Sequence, residues 1–480
     1  MADEKDNVQV EELKITKRKK TSDEIEKENA DLMEAFAQGK EGEGAEKKDE
    51  EQKGLDPDVL AKLKAKTKKK EEKVADLVDQ KEVSINMGIV GIGQAGSRLA
   101  ELFHQNGYDA GVINTSPQDL DAIDLLPNQK LLLEGSLGGT GKDRDLSAAI
   151  FEENEDQVRG FVEKVIEGND MIGLCSSSGG GTGSGSISLL CKLVSELELP
   201  IAVIFVLPKK SEGAANKKNA LEALSELSSL AAHGIIDSLM VVDNARLEVL
   251  LSHVGHGKFW SMANQMIVDP LILLNHFTAT STSDAMDPSD FGKILTGGGV
   301  TIYGVLESED YMDETGLAEA VLETLSDNML SEGFDLAQAT VGGAIYIGSP
   351  NTIDEIPSIN LDYAQHMVSE ATDGADLYRG IYKDPSMPDG VVKVVSMFSG
   401  LGLPKERVDE LQEEVEKLEK AALEKSSKKA QNIELELNKN RTASARASIH
   451  KKIKKKKSGF GKLQGGVRKG SLIDKRRKKK

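Results

Sequence analysis

The chain predicts an α/β protein: a doubly wound parallel sheet, a central helix and a smaller α+β domain, with charged extensions at both ends. Three observations carry this. From Val83 onward, short apolar runs rich in β-branched residues alternate with helical periodicity, the pattern of a parallel sheet covered on both faces. Glycine-packed turns stand where two of those runs pass into helices. Beyond Gly299 the order changes to strands interspersed with fewer helices, which reads as α+β.

The stretch that organises the rest is 175–186, Cys-Ser-Ser-Ser-Gly-Gly-Gly-Thr-Gly-Ser-Gly-Ser. Ahead of it, 170–174 reads as a short buried strand. Behind it, Ile187, Leu190, Cys191, Val194 and Leu197 recur at helical spacing. A turn between strand and helix leaves backbone N–H groups free, and the helix dipole adds positive charge there. Glycines allow close approach, and Thr182, Ser184 and Ser186 offer hydroxyls, so a polyphosphate is the natural occupant. A flexible Gly/Ser linker is the competing reading, but linkers are not clamped between a strand and an amphipathic helix.

The 480 residues suffice for two or three domains. Cys175 and Cys191 both fall in apolar segments and read as reduced core residues. The first residues have no apolar h-region, and no run reaches membrane-spanning length, which predicts a cytoplasmic protein. The net charge of −19 hides an asymmetry. Residues 441–480 hold 17 Lys/Arg against one acid, Asp474, so the tail is +16 and the remainder −35. Such a tail seeks polyanions or acidic protein faces. Phe460 is its one aromatic, so its contacts would be electrostatic rather than base stacking.

Residues 1–82 are dominated by Glu, Asp and Lys and read as mostly disordered, with short helical patches around 31–37 and 57–63. The first strand is expected over 83–90. Gly91-Ile-Gly-Gln-Ala-Gly96 follows and opens a helix, which alone is a weak dinucleotide fingerprint. The next strand, 110–114, ends in Asn-Thr-Ser rather than the acid that would hold a ribose, so a Rossmann site loses ground. At 133–143 a Gly-Lys pair suggests a P-loop, but Ser136 stands where its first glycine belongs and Asp143 where the Ser/Thr belongs. Further strands are read at 199–208 and 234–246, then a helix over 259–278 that Pro270 should kink or interrupt. Strands at 301–306, 340–347 and 390–398, with helices at 317–330 and 363–370, build the second domain. A charged helix, 406–438, either covers the body or extends outward.

The Gly179-Gly-Gly-Thr-Gly-Ser-Gly185 loop resembles the signature of the tubulin/FtsZ GTPases, and the resemblance spans roughly residues 85–404. It implies GTP with Mg²⁺ as cofactors. It implies nucleotide contacts from Gly93, Gln94, Ala95, Gly96 and Ser97 of the first loop, from Asn114, and from a γ-phosphate-sensing loop at Gly138, Gly139, Thr140 and Gly141. Gly179, Gly180, Gly181, Thr182, Gly183, Ser184 and Gly185 would cradle phosphates. Glu212 would grip the ribose, with Asn216 where the family has an arginine. Asn244 would read the guanine edge, Trp260 would stack on the base and Asn264 would bond it. For Glu212 a solvated turn, and for Trp260 ordinary core packing, are competing readings.

Asp287 and Asp290 match the two acids of the family's synergy loop, with Ala285 at its asparagine position. That loop acts on the nucleotide of the next subunit, so the resemblance implies a head-to-tail homopolymer with assembly-dependent hydrolysis. A capped turn before a helix is the plainer reading of 287–290. The implied division is an N-terminal extension (1–82), GTP-binding domain (83–257), central helix (258–280), activation domain (281–405), charged helix (406–440) and basic tail (441–480). No protein metal site is expected. The long N-terminus, Ala285 and the basic tail lean toward the plasmid and phage, TubZ-like branch, whose filaments position DNA, directly or through an adaptor. A GTP-binding filament with little turnover, a scaffold for the tail and an FtsZ-like division protein are the alternatives.

Overall fold

The computed structural model describes residues 83–429 except 137, 281, 283 and 327–332. The N-terminal patches, the end of the charged helix and the basic tail lie outside the described residues.

The apolar runs become the strands β1 (Met87–Ile92), β2 (Asp109–Asn114), β3 (Lys130–Leu132), β4 (Met171–Ser177), β5 (Ile201–Leu207) and β6 (Ser238–Asp243). The second half adds β7 (Val300–Ser308), β8 (Val341–Gly348), β9 (Asp376–Lys383) and β10 (Val392–Leu401). All ten join one sheet in the order β3-β2-β1-β4-β5-β6-β7-β10-β8-β9. From β3 to β7 the pairs are parallel, while β10 runs antiparallel to both β7 and β8. β8 and β9 are again parallel.

The helices that cover it are α1 (Gly93–Gln105), α2 (Pro117–Asp121), α3 (Arg144–Glu153), α4 (Glu155–Val165), α5 (Gly181–Ser195), α6 (Ala214–Ala232) and α7 (Asn244–Leu250). They continue with α8 (His256–Phe277), α9 (Pro288–Leu295), α10 (Gly316–Ser326), α11 (Pro350–Glu355), α12 (Ser358–Ala371) and α13 (405–429). Strand side chains alternate between faces, so neighbours Ile89 and Val90 enter different cores. One core packs the sheet against α1, α7, α8 and α9; the other packs it against α3 to α6, α10 and α12. The doubly wound α/β class stands, as one continuous mixed sheet.

The join between the halves is narrow. β6 meets β7 through the single pair Leu239↔Val300, supplemented by Ser238 Oγ donating to Thr301 Oγ1 at 2.7 Å. α8 braces that join: the buried Tyr303 hydroxyl donates to the Ile267 carbonyl at 2.8 Å.

Several expectations shift. β1 starts at Met87, not Val83, because residues 84 and 85 pair with α8 instead. Ser84 N donates to the Asn275 carbonyl, and Asn275 bonds both backbone groups of Ile85. β1 then runs to Ile92, so Gly93 is already helical. α8 is not interrupted at Pro270, which lies buried inside a continuous helix although it has no N–H to return to the Met266 carbonyl. β3, β9 and the helices α2, α3, α6, α7 and α11 were not anticipated, and residues 244–246, read as strand, open α7. β3 is very short, and β9 carries Gly380 between half-buried neighbours, so neither has clean alternation. α13 does both things considered for it. Leu411 and Val415 are buried against the body, while Leu423 further along is exposed.

Candidate nucleotide site

In a parallel sheet the turns at the carboxyl ends of the strands gather on one edge. Here those of β1, β2, β4, β5 and β6 surround a cleft of about 540 Å³, a volume suited to a small molecule. Gly93, Gln94, Ala95, Asn114, Gly138, Gly139, Thr140, Gly141, Gly179, Gly180, Gly181, Thr182, Gly183, Glu212, Asn244 and Trp260 all line it. Five expected contacts do not. Gly96 and Ser97 are buried in α1, where Ser97 Oγ donates to the Gly93 carbonyl at 2.7 Å. Gly185 and Ser184 lie within α5, where the Ser184 hydroxyl donates to the Gly180 carbonyl at 2.6 Å. Asn264 lies one helical turn beyond Trp260, also outside the lining.

The end of the cleft at α5 is made largely of backbone. α5 begins at Gly181 with no side-chain cap, so its first N–H groups point to the cleft with the positive end of the helix dipole. The hydroxyls expected to help are mostly spent internally: Thr182 pairs with Thr115 at 2.7 Å and Ser186 with Ser147 at 2.7 Å. Gly181 is required by its neighbours. A Cβ there would collide with Thr140 Oγ1 and come within 2.8 Å of Asp143 N. The 138–143 loop is thus seated directly on the start of α5. It is tied down by Asn219 Nδ2 donating to the Lys142 carbonyl at 3.0 Å and by Arg144 Nε donating to the Ser184 carbonyl at 3.1 Å. Arg144 also pairs with Glu222 and Glu226 at 2.9 Å each.

Lys142 itself lines the cleft and was missed. Sequence reasoning met it only as the lysine of a rejected P-loop, yet a cation beside uncapped N–H groups suits an anion. Ser116, Gln118 and Asp119 also line the cleft. They follow β2, and the serine capping α2 was the available signal.

The buried Asn114 Nδ2, which lies in the cleft next to the Thr115 that bonds α5, has no hydrogen-bond partner among the described residues, and neither do Ser176 Oγ and Asn216 Oδ1. Such atoms are costly unless something satisfies them. Asn216 Nδ2 donates to Glu212 Oε2, and Glu212 Oε1 accepts from Lys209 N at 2.9 Å. Asn216 therefore orients the carboxylate as a cation would, without the charge. Asn244 opens α7 at the end of β6. Trp260 is 47% exposed, against Phe259 at 9%, so it is not a core residue. Lys209 Nζ sits 4.4 Å over its ring.

Asp287 and Asp290 are outside the cleft. Asp287 Oδ1 caps α9 by accepting from Asp290 N at 2.9 Å, and Asp290 pairs with Lys293 at 2.9 Å. β9 holds this loop: Ile381 N donates to the Asp284 carbonyl at 2.9 Å and the Tyr382 hydroxyl to that of Met286 at 3.0 Å. Both cysteines are buried and free, and burial pushes the Cys175 thiol up to about 12.

Residues 86–252 match the sequence model of the tubulin/FtsZ family GTPase domain, and residues 273–412 match that of the TubZ-like C-terminal domain of tubulin/FtsZ-like proteins. The chain belongs to the tubulin/FtsZ family. Members of this family are cytoskeletal GTPases, and its GTPase-domain match spans every turn of the cleft up to Asn244. A tubulin-like CetZ of Pyrococcus horikoshii is 26% identical over 322 residues, covering 65% of this chain and 85% of that protein. TubZ of Bacillus cereus is 25% identical over 419 residues, covering 81% and 94%. In fold, the chain is similar to TubZ of Bacillus thuringiensis serovar israelensis in a GTPγS-form protofilament, with a TM-score of 0.65 at 20% identity over 72% of this chain and 95% of that one. Among the described residues no helix is long and apolar enough to cross a membrane.

Because the chain has one tryptophan and it lines the cleft, GTP should quench its emission saturably. Emission unchanged at saturating GTP would take Trp260 out of the site.

Proposed function

We propose that the cleft binds GTP and that the chain assembles head to tail, each subunit's Asp287/Asp290 loop completing the hydrolytic site of its neighbour. In this reading the uncapped start of α5, the 138–141 loop and Lys142 hold the phosphates. Glu212 takes the ribose, and Asn244 with Trp260 the guanine. An amide can both donate to and accept from a guanine edge, and the unpartnered Asn114 Nδ2 supplies a further donor on the α5 side of the cleft. Among the described residues no cluster of three His, Cys, Asp or Glu side chains forms a metal cage. That suits a magnesium ion held mainly by the phosphates, with Gln94 and Thr140 as side-chain oxygens at that end, where it would neutralise phosphate charge.

One observation carries the intersubunit reading. The carboxylates lining the cleft among the described residues are Asp119 and Glu212, and Glu212 is already engaged by Lys209 and Asn216. The carboxylates that would orient the attacking water sit instead at the N-terminus of α9, on a loop fixed by β9. A head-to-tail contact is heterologous, so it propagates into a filament unless its rotation closes a ring.

Asparagine at 287 keeps a capping oxygen while removing the charge. Asp287→Asn with Asp290→Asn should therefore assemble with GTP in light scattering yet release phosphate about 10²-fold more slowly. Unchanged release would remove these residues from the mechanism. Assembly of the wild type with negligible release would mark a filament that binds GTP with little turnover.

The cargo we propose is DNA, met through the basic 441–480 segment. The +16 charge of that segment and the similarity to TubZ, one solved example of which is described as a plasmid segregation protein, support this. Full-length protein should retard duplex DNA in dilute salt and lose it steeply as salt rises, and a chain ending at 440 should not retard it. No retardation by the full chain at low salt would exclude direct contact.

A further inference from the structure

The ribose and base end of the cleft rests on two turns, β6–α7 and β5–α6, and one face of α13 holds both. Arg407 Nε donates to Asp243 Oδ2 at 2.6 Å, and a second guanidinium nitrogen reaches Oδ1 at 3.4 Å. The two side chains are 6% and 5% exposed. Asp243 is the last residue of β6 and caps α7, its Oδ1 accepting from Ala245 N at 3.0 Å. Asn244 sits between the capping residue and that N–H.

Two turns of α13 further on, Glu414 pairs with Lys217 at 2.8 Å. The Lys217 ammonium also donates to the Lys210 carbonyl at 2.8 Å, and Lys210 pairs with Glu410 at 3.2 Å. Lys210 belongs to the turn that carries Glu212. Residues 407, 410 and 414 form one stripe of the helix. Burying ions merely to attach a helix is a poor use of them, since apolar side chains of similar volume do it at least as well. What a forked guanidinium adds is direction: two nitrogens fix the plane of the carboxylate they meet.

We propose that Arg407 is a positioning residue for guanine recognition, acting through Asp243 to fix Asn244, and that α13 thereby buttresses the base end of the site. This rests on the GTP reading given above. Burial drives the Asp243 carboxyl upward, and Arg407 opposes that drive. Without the guanidinium, Asp243 either takes a proton or turns toward water. In both cases the cap that aims Asn244 is altered. Among the described residues, the hydrogen bonds and ion pairs of α13 to the body go to the β5–α6 and β6–α7 turns and α6, not to α5 or the 138–143 loop.

The test is nucleotide selectivity in the full-length protein, read by displacing a fluorescent guanine nucleotide with GTP and with ATP. ATP uses the phosphate and ribose contacts but cannot use the guanine edge. Arg407→Met should weaken GTP about 10-fold, one charge-assisted hydrogen bond's worth, and leave ATP unchanged, so the GTP:ATP ratio collapses. Arg407→Lys keeps the charge without the fork and should fall between. Adding Asp243→Asn to Arg407→Met should recover most of the ratio, because a neutral amide caps α7 without needing a counter-charge. A folded Arg407→Met protein with the wild-type ratio, or one that loses both nucleotides equally, overturns the proposal. Where circular dichroism shows that variant unfolded, the Arg407→Lys ratio decides in the same way. A wild type that does not bind GTP at all refutes the functional reading instead.

Discussion

Everything at the phosphate end depends on one constraint: α5 starts without a side-chain cap. Its first N–H groups must find an acceptor outside the helix, and the cleft is where they face. The glycines follow from this. Any side chain at 181 would displace the 138–143 loop that closes over the same spot. That loop is then held from behind by Asn219 and Arg144, both reaching the α5–α6 layer. The cradle is thus a backbone surface kept in place by side chains that never enter it.

The base end is organised on the opposite plan. Its lining is side chain, Glu212, Asn244 and Trp260, and its precision comes from neighbours that aim them. Asn216 and the Lys209 amide fix the Glu212 carboxylate, while Asp243 and Arg407 flank Asn244. A rigid backbone cradle suits phosphates, which any nucleotide carries. Side chains aimed from a second layer suit a base, where one nucleotide must be told from another. The α9 loop is outside both ends, held by β9 at the far side of the narrow β6–β7 join.

The glycine turns, the strand runs other than β3 and β9, and the Asp287 cap of α9 were legible because each is a local pattern: turn chemistry or period. What was not legible is tertiary. Nothing near Ser184 and Ser186 says that their hydroxyls bond Gly180 and Ser147, so they read as phosphate donors. Val83–Asn86 has strand composition, yet Asn275, almost two hundred positions away, captures its backbone. Lys142 was hidden by its own near-motif. β9 is invisible to a period count because its inner face packs the α9 loop, and a Cβ at Gly380 would meet Met286 N at 2.9 Å. Arg407 looked like one charge among many on a charged helix.

The claim on which the account turns is that the hydrolytic site is shared between copies. It is tested by mixing two impaired variants: Asp287→Asn/Asp290→Asn, with an intact cleft, and Gly181→Val, whose cradle is blocked but whose α9 loop is intact. At a mixed contact, the cleft of the first faces the loop of the second, and that site is whole. Phosphate release, about 10²-fold slowed in the first and absent from the second, should rise on mixing and peak near equal amounts. A mixture no faster than its components, with scattering showing that the two copolymerise, would contradict it.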